Sequence, residues 1–436
     1  MQTPRCAWKT WAARIGAIVV GAVLLQVVFF SALVVTESIP NDRILQKLQQ
    51  DAQEQLWSDA NFVPDGVSRN GLLDAYTDCI SLTTGLYAQE LSPFQRAVRY
   101  PHLGNCEESF QALEQIEQGA PFVQRFYPRY WGGNSVIIRP LLAMGGISLL
   151  RTVVLALAVG SVALLLTCSA RRSALVPGVV MLVPLAFSTN MFAQTVYGFT
   201  HLLEFAVAAF MATLPFFLRR LRPFHLFATG FLAGSVFNYM DFLHNPSIAW
   251  SLFVFSSVLV TFRRGVTTWR LVGWALLAVA SWIVGYAFTW GSRWMIAVLW
   301  GGETLTELIG KMFLWTGEGE PERAWLGESS KTATGYWIHG MPSARIVLAL
   351  LLVLAIVFIV RAVRSRGSVS WPFLAVGLAT AAVNPVWLEV MSGHSIHHVF
   401  FTYLAIPFGL GIVASTLLVS GWPSSRKPEP VAVAPT

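Results

Sequence analysis

Apolar residues run in blocks along this chain, separated by short basic turns and by two long polar segments. Residues 15–35 read IGAIVVGAVLLQVVFFSALVV, about the 20 residues that a helix needs to cross roughly 30 Å of hydrocarbon. Similar blocks lie near 152–168, 174–192, 199–218, 224–242, 246–262, 271–290, 344–362, 371–390 and 399–420. The pattern predicts an all-α polytopic membrane protein with about ten transmembrane helices. The first block is too long for a signal-peptide core. VVTESIPND follows it without a small-x-small cleavage pattern, so it reads as an uncleaved anchor.

The polar segments have patterns of their own. In NDRILQKLQQDAQEQL, Ile44, Leu45, Leu48 and Leu56 are apolar among polar neighbours, which predicts an amphipathic helix capped by Asn41 or Asp42. FVPDGVSRNG is turn chemistry, and SFQALEQIEQG predicts a second helix ended by Gly119. RFYPRYWGGNSVIIRPLLAMGGISLLR is rich in Tyr, Trp, Arg and Gly, a composition suited to the headgroup zone. Residues 135–150 are expected as an interfacial helix. Farther on, MIAVLWGGETLTELIGKMFLW is amphipathic and expected along the membrane surface, whereas TGEGEPERAWLGESSKTATGYW is expected as a polar loop.

Only 12% of the 436 residues are charged, half of the roughly 25% usual for a soluble protein. Sixteen of the 30 Lys and Arg fall at the N-terminus, in alternate short loops such as Arg219, Arg220 and Arg222, and at the C-terminus. Basic residues collect on the cytoplasmic side, so both termini are expected inside and the long segments outside. The organisation expected is a cytoplasmic N-terminus (1–14), an anchor (15–35) and an outer loop with amphipathic helices (36–151). Transmembrane helices follow at 152–290, then an outer segment at 291–343, the last helices at 344–421 and a disordered cytoplasmic tail at 422–436. The net charge of +7 is a topology signal and calls for no nucleic-acid partner. Cys79 and Cys106 share the outer loop, where a disulfide is expected; the alternative is two separate thiols. Cys6 and Cys168 fall on the inner side.

The unusual polar residues gather on the outer side. DAYTDC brings Asp74 and Asp78, FNYMDFLHNP brings Asp241, His244 and Asn245, and NPVWLEVMSGHSIHHVFF brings Glu389, His394, His397 and His398. STNMFAQTVYGFTHLLEF adds Asn190, Gln194, Tyr197, His201 and Glu204. Ionisable groups at membrane depth are costly and mark function, so four such turns predict an outward cavity. His394, His397 and His398 share one helical face, a spacing open to metal ligation, phosphate binding or proton transfer. Arg125, Arg129 and Arg139 would either snorkel to headgroups or grip a phosphate with their guanidinium forks. SGH also occurs in lipid phosphatases of the PAP2 type, but the final span lacks the Arg and His that such enzymes carry downstream.

An N-terminal anchor, a long outer loop with an acid and interfacial helices, and many further spans resemble the GT-C superfamily of integral-membrane glycosyltransferases. YTDC, YPRYWGGNSVIIRPLL, YMDFLHNP and GHSIHHVFFTYL resemble motifs of a poorly characterised bacterial family associated with cell-envelope polysaccharides. That family's RYWHGY stands where this chain has RYWGGN, so Gly132 replaces a histidine. The resemblance covers about residues 36–405. It implies a polyprenyl-phosphate sugar as donor, an envelope glycan or lipid as acceptor, and a bacterial inner-membrane location with chemistry on the outer face.

Roles follow from the resemblance. Asp78 would be the general base, with Asp241 and His394 also catalytic. Many GT-C acids follow the first span closely, which would favour Asp42 or Glu37. Arg129, Arg139, His397 and His398 would bind the donor phosphate. Tyr127, Tyr130, Trp131, Asn134, Tyr239 and His244 would bind substrate. A divalent metal is left open. The rival classes are a transporter or flippase of an envelope precursor, and a membrane acyltransferase.

Overall fold

Hydrocarbon offers the backbone no partner but itself, which restricts spanning segments in a chain this apolar to helices or closed barrels. The computed structural model describes residues 4–64, 72–88, 90–191, 198–316, 325–365 and 369–422, and it is all-α apart from two short strand pairs. Helix α1 (Pro4–Glu37) leads into α2 (Asn41–Gln53), β1 (Phe62–Pro64), β2 (Leu72–Asp74), α3 (Tyr76–Thr83), α4 (Pro93–Arg99), β3 (Pro101–His102), α5 (Cys106–Glu117) and β4 (Arg125–Phe126). The bundle continues with α6 (Ser135–Arg171), α7 (Leu175–Phe187), α8 (Phe199–Met211), α9 (Leu214–Phe217), α10 (Pro223–Met240), α11 (Pro246–Arg263) and α12 (Arg270–Ile296). A π-helical turn (Ala297–Gly301) precedes α13 (Leu305–Trp315), α14 (Glu328–Gly340), α15 (Pro342–Arg364), α16 (Trp371–Val390), α17 (Ser392–His397), α18 (Val399–Thr402) and α19 (Ala405–Gly421).

Eight described segments are long and apolar enough to cross a membrane, against the ten expected. The two others are α7, whose 13 residues reach about 20 Å, and α10, where His225, Asn238 and Tyr239 dilute the apolar run. Helix α11 is central, with 89% of its apolar window buried, whereas α15 is peripheral, with 6% buried and Leu350, Ile356 and Ile359 facing outward. Helices α10 and α12 cross closely because Gly230 lies against Ser281, and a Cβ on Gly234 would strike the Trp282 backbone and one on Gly285 the Phe231 backbone.

The helix expected at 135–150 is a segment of its own up to Gly145, joined to the rest of α6 across a kink. Gly146 breaks the helix (φ 66°, ψ −162°), and the Ile147 amide freed by the break donates to Asp51 Oδ2 of α2 at 2.8 Å. The expected polar loop after residue 315 also holds a helix, α14, because Trp337 buries itself and donates to the Ser188 carbonyl. Glu389 secures its start by accepting from the Gly327 and Ser330 amides. Helix α13 is amphipathic as expected, exposing Leu305, Ile309, Met312 and Phe313. The FVPDGVSRNG turn from 65 onward and the tail beyond Trp422 lie outside the described residues.

Buried cations tie the polar segments to the spans. Arg139 on α6 is fully buried; it pairs with Glu37 at the end of α1 and donates to the carbonyls of Thr36, Ile39 and Thr84 and to Asn41. Arg293 on α12 donates to the Ala97 and Val98 carbonyls and packs on the Trp131 ring. Cys79 and Cys106 are disulfide-bonded, joining α3 to α5. Arg139→Met is expected to destabilise the protein by about 3–5 kcal/mol because it strands a buried carboxylate. Adding Glu37→Gln should recover part of the loss in thermal unfolding of detergent-solubilised protein.

Candidate active site

Asp74 and Asp78 lie four residues apart across the start of α3, and both reach α8. The Asp78 carboxylate accepts from the Gly198, Phe199 and Thr200 amides and from the Thr200 hydroxyl. These are the orphan donors of a helix N-terminus, where the macrodipole also favours an anion. Asp74 accepts from the Thr77 amide at 3.1 Å and the Thr77 hydroxyl at 2.6 Å, and its Oδ2 lies 2.8 Å from His201 Nε2. One turn along α8, Glu204 holds His244 Nδ1 at 2.7 Å. With the proton of this bond on Nδ1, the imidazole donates to Glu204. The lone pair of His244 is then on Nε2, 3.4 Å from the Thr77 hydroxyl. Beneath them Asp241 accepts from the His244 amide at 2.9 Å and from the Tyr286 hydroxyl at 3.1 Å.

Above this floor opens a cavity of about 580 Å³. One wall carries Tyr76, Tyr127, Tyr130 and Phe242, another His394, His397, His398, Phe400 and Phe401, and Thr77 and His244 join Asn61, Phe62, Leu72 and Ile80 in the rest of the lining. Arg129 lies over the Tyr127 and Tyr130 rings, 4.5 Å and 5.2 Å from their centroids, and donates to the Tyr127 hydroxyl. His398 stacks on Phe401 and packs against the rings of His394 and His397 at 4.8 Å and 4.7 Å. Burial, and then neighbouring His397, bring His398 down to about 3. At neutral pH it therefore meets an anion as a neutral N–H donor, and Arg129 is the fixed cation of the lining.

The expectations divide on this geometry. Arg129, His394, His397, His398, Tyr127, Tyr130 and His244 line one cavity. The others do not. Asp78 spends its oxygens on α8, so it is a helix cap where a general base was expected. Asp241 lies under His244, holding its backbone. Arg139, expected on a phosphate, is enclosed by Glu37 and backbone carbonyls. Trp131 donates to the Thr289 carbonyl, Asn134 bonds Ser81 and Tyr100, and Tyr239 stacks on Phe29; all three are core residues. Asp74, His201 and Glu204 were legible only as unusual acids and imidazoles. Their pairing with one another, and the part played by Thr77, were not, although His201 and Glu204 stand at i, i+3 on one helical face.

Comparison with protein-family models, with curated proteins and with solved structures found no match.

Burial, opposed by the Thr200 hydroxyl bond, raises Asp78 from 3.8 to about 6. Between those values the folded chain keeps a proton that the unfolded chain has released, so Asp78 makes stability fall as pH rises from about 4 to about 6. Thermal unfolding across that window should show this falling component in the wild type and lose it in Asp78→Asn.

Proposed function

We propose that this chain is a membrane glycosyltransferase that moves a sugar from a polyprenyl-phosphate donor to an envelope glycan or lipid acceptor, on the outer face of a bacterial inner membrane. The observation that carries this reading is a single cavity that joins a cation-bearing aromatic wall to His244, which Glu204 holds from behind. Its size suits a sugar phosphate, and tyrosine faces suit a sugar ring.

In this reading the acceptor oxygen forms its bond to the anomeric carbon as the carbon–oxygen bond to phosphate breaks, through an oxocarbenium-like state. Negative charge grows on the departing phosphate, where Arg129 supplies a positive charge and His397 and His398 supply N–H donors. His394, on the cavity wall, takes the acceptor proton. The floor at His244 orients and polarises the acceptor. A transport reading needs a path onward through the bundle. Among the described residues, the space beneath the floor beside Met191, Phe205, Phe237 and Leu404 is about 20 Å³, which favours the enzyme.

Transfer of labelled sugar from polyprenyl-phosphate donors to envelope glycan in membranes tests the proposal. Arg129→Ala should cost roughly 10²-fold or more, and His394→Gln roughly 10²- to 10⁴-fold. Asp78→Asn, which loosens the α8 cap without touching the cavity, should cost turnover less than His394→Gln does. Transfer that persists without the protein, or that His394→Gln leaves intact, would overturn the reading.

A further inference from the structure

His244 on the cavity lining and the buried residues behind it have the composition of a metal site. Asp74 comes from the end of β2, His201 from α8 and His244 from the turn after α10. One ligand atom from each lies within 4.8 Å of the other two. All three side chains are buried, at 1%, 3% and 3% exposure, and the two imidazole rings are 4.2 Å apart. We infer that Asp74, His201 and His244 bind one divalent metal ion of the zinc type, with a fourth position reached beside His244 and Thr77, which line the cavity.

Three arguments support this. The first is ligand chemistry. One carboxylate oxygen and two imidazole nitrogens, with bonds of about 2.0–2.2 Å, match a catalytic zinc site that keeps one vertex for water or substrate. A tetrahedral ion at those bond lengths sets its ligand atoms about 3.4 Å apart, a spacing that small side-chain movements reach from the one observed.

The second is the shell behind the ligands. A metal-bound histidine characteristically donates its other ring N–H to a carboxylate, which fixes the tautomer. Glu204 stands in that position on His244 Nδ1 at 2.7 Å, and the Thr77 hydroxyl steadies Asp74 at 2.6 Å. Glu204, Asp241 and His244 also approach one another. That set would take the His244 nitrogen already bonded to Glu204, and Asp241 is already occupied with Tyr286 and the His244 amide. The set with two imidazoles is therefore the better site.

The third is charge. Asp74, Glu204 and Asp241 are three carboxylates at 1%, 4% and 2% exposure, and the ion pairs of Asp74 and Glu204 are to His201 and His244. A buried carboxyl with no cation beside it keeps its proton, and a divalent ion would take the place of such protons in the ligand set. In the transfer reaction proposed above, the open position would take the acceptor oxygen; the metal site itself does not depend on that reading.

The test needs no substrate. The full chain, purified in detergent and stripped by chelator, is titrated with Zn²⁺ by calorimetry and with Co²⁺ as a visible-absorption probe. Uptake of one ion per chain is expected, with the absorption bands of tetrahedral Co²⁺. His201→Ala and Asp74→Asn should abolish both signals, and Glu204→Gln should weaken affinity by roughly 10- to 100-fold. His225→Ala, at the other end of α10, should bind as the wild type does. A stripped wild type that takes up no ion would overturn the site. So would undiminished binding in His201→Ala and Asp74→Asn, or loss confined to His394→Ala and His398→Ala, which would move the ion to α17. Where His201→Ala fails to fold, wild-type stoichiometry and the Glu204→Gln affinity still decide.

Discussion

The contact on which the site depends is the capping of α8 by Asp78. The carboxylate spans 120 residues of sequence to Gly198, and it satisfies amides that would otherwise end a helix unpaired in a dry environment. Four residues earlier Asp74 meets His201, one turn into the same helix. Two acids on one short stretch thus fix both the position and the rotation of α8. That rotation presents Glu204 to His244, and so aligns the second carboxylate–histidine pair with the first. The disulfide from Cys79 to Cys106 holds the stretch from behind, so the acids cannot leave α8 without moving α5.

The same logic of polar groups satisfied at a distance holds the loop region to the membrane helices. Arg139 and Arg293 have their guanidinium groups turned to backbone carbonyls of the loop segments, where water would otherwise have to enter. Asp51 mends the break in α6 at Gly146, and Glu389 mends the start of α14. Each charged side chain closes a gap that helix geometry leaves open. The consequence is a site carried by ordered helices whose termini are occupied, which is what precise placement of cavity side chains requires.

What the sequence made legible follows from how local each signal is. Apolar blocks and basic turns depend on the bilayer alone, and they located the spans and the polar segments. The histidines of GHSIHH and the tyrosines of YPRY stand in turns beside spans, and their cavity position followed from that placement. The roles of Asp74 and Asp78 did not, because both acids stand in the same DAYTDC string and differ only in what α8 brings to them. Arg139 was equally ambiguous: an arginine beside a headgroup-type sequence grips phosphate or closes a helix, and only the position of Glu37 decides. Gly146 and Trp337 show the same limit for elements. A helix break tolerated by a distant carboxylate, and a helix stabilised by one buried indole, are set by partners 96 and 149 residues away.

The density of histidine at the membrane edge has a physical reason that lysine or arginine could not meet as cheaply. A permanently charged group must be paired or hydrated wherever it sits, and Arg129 is accommodated through two tyrosine faces and a tyrosine hydroxyl. Imidazole sheds its charge when buried, as His398 does, and keeps an N–H donor and a lone pair. Several imidazoles can therefore crowd one cavity beside a single guanidinium without mutual repulsion, each ready for an anion, a proton or an ion when one arrives. Lysines at the same positions would repel one another and draw in water. The small space beneath, where Met191, Phe205, Phe237 and Leu404 face His201, Glu204 and His244, suits groups whose charges are paired or shed.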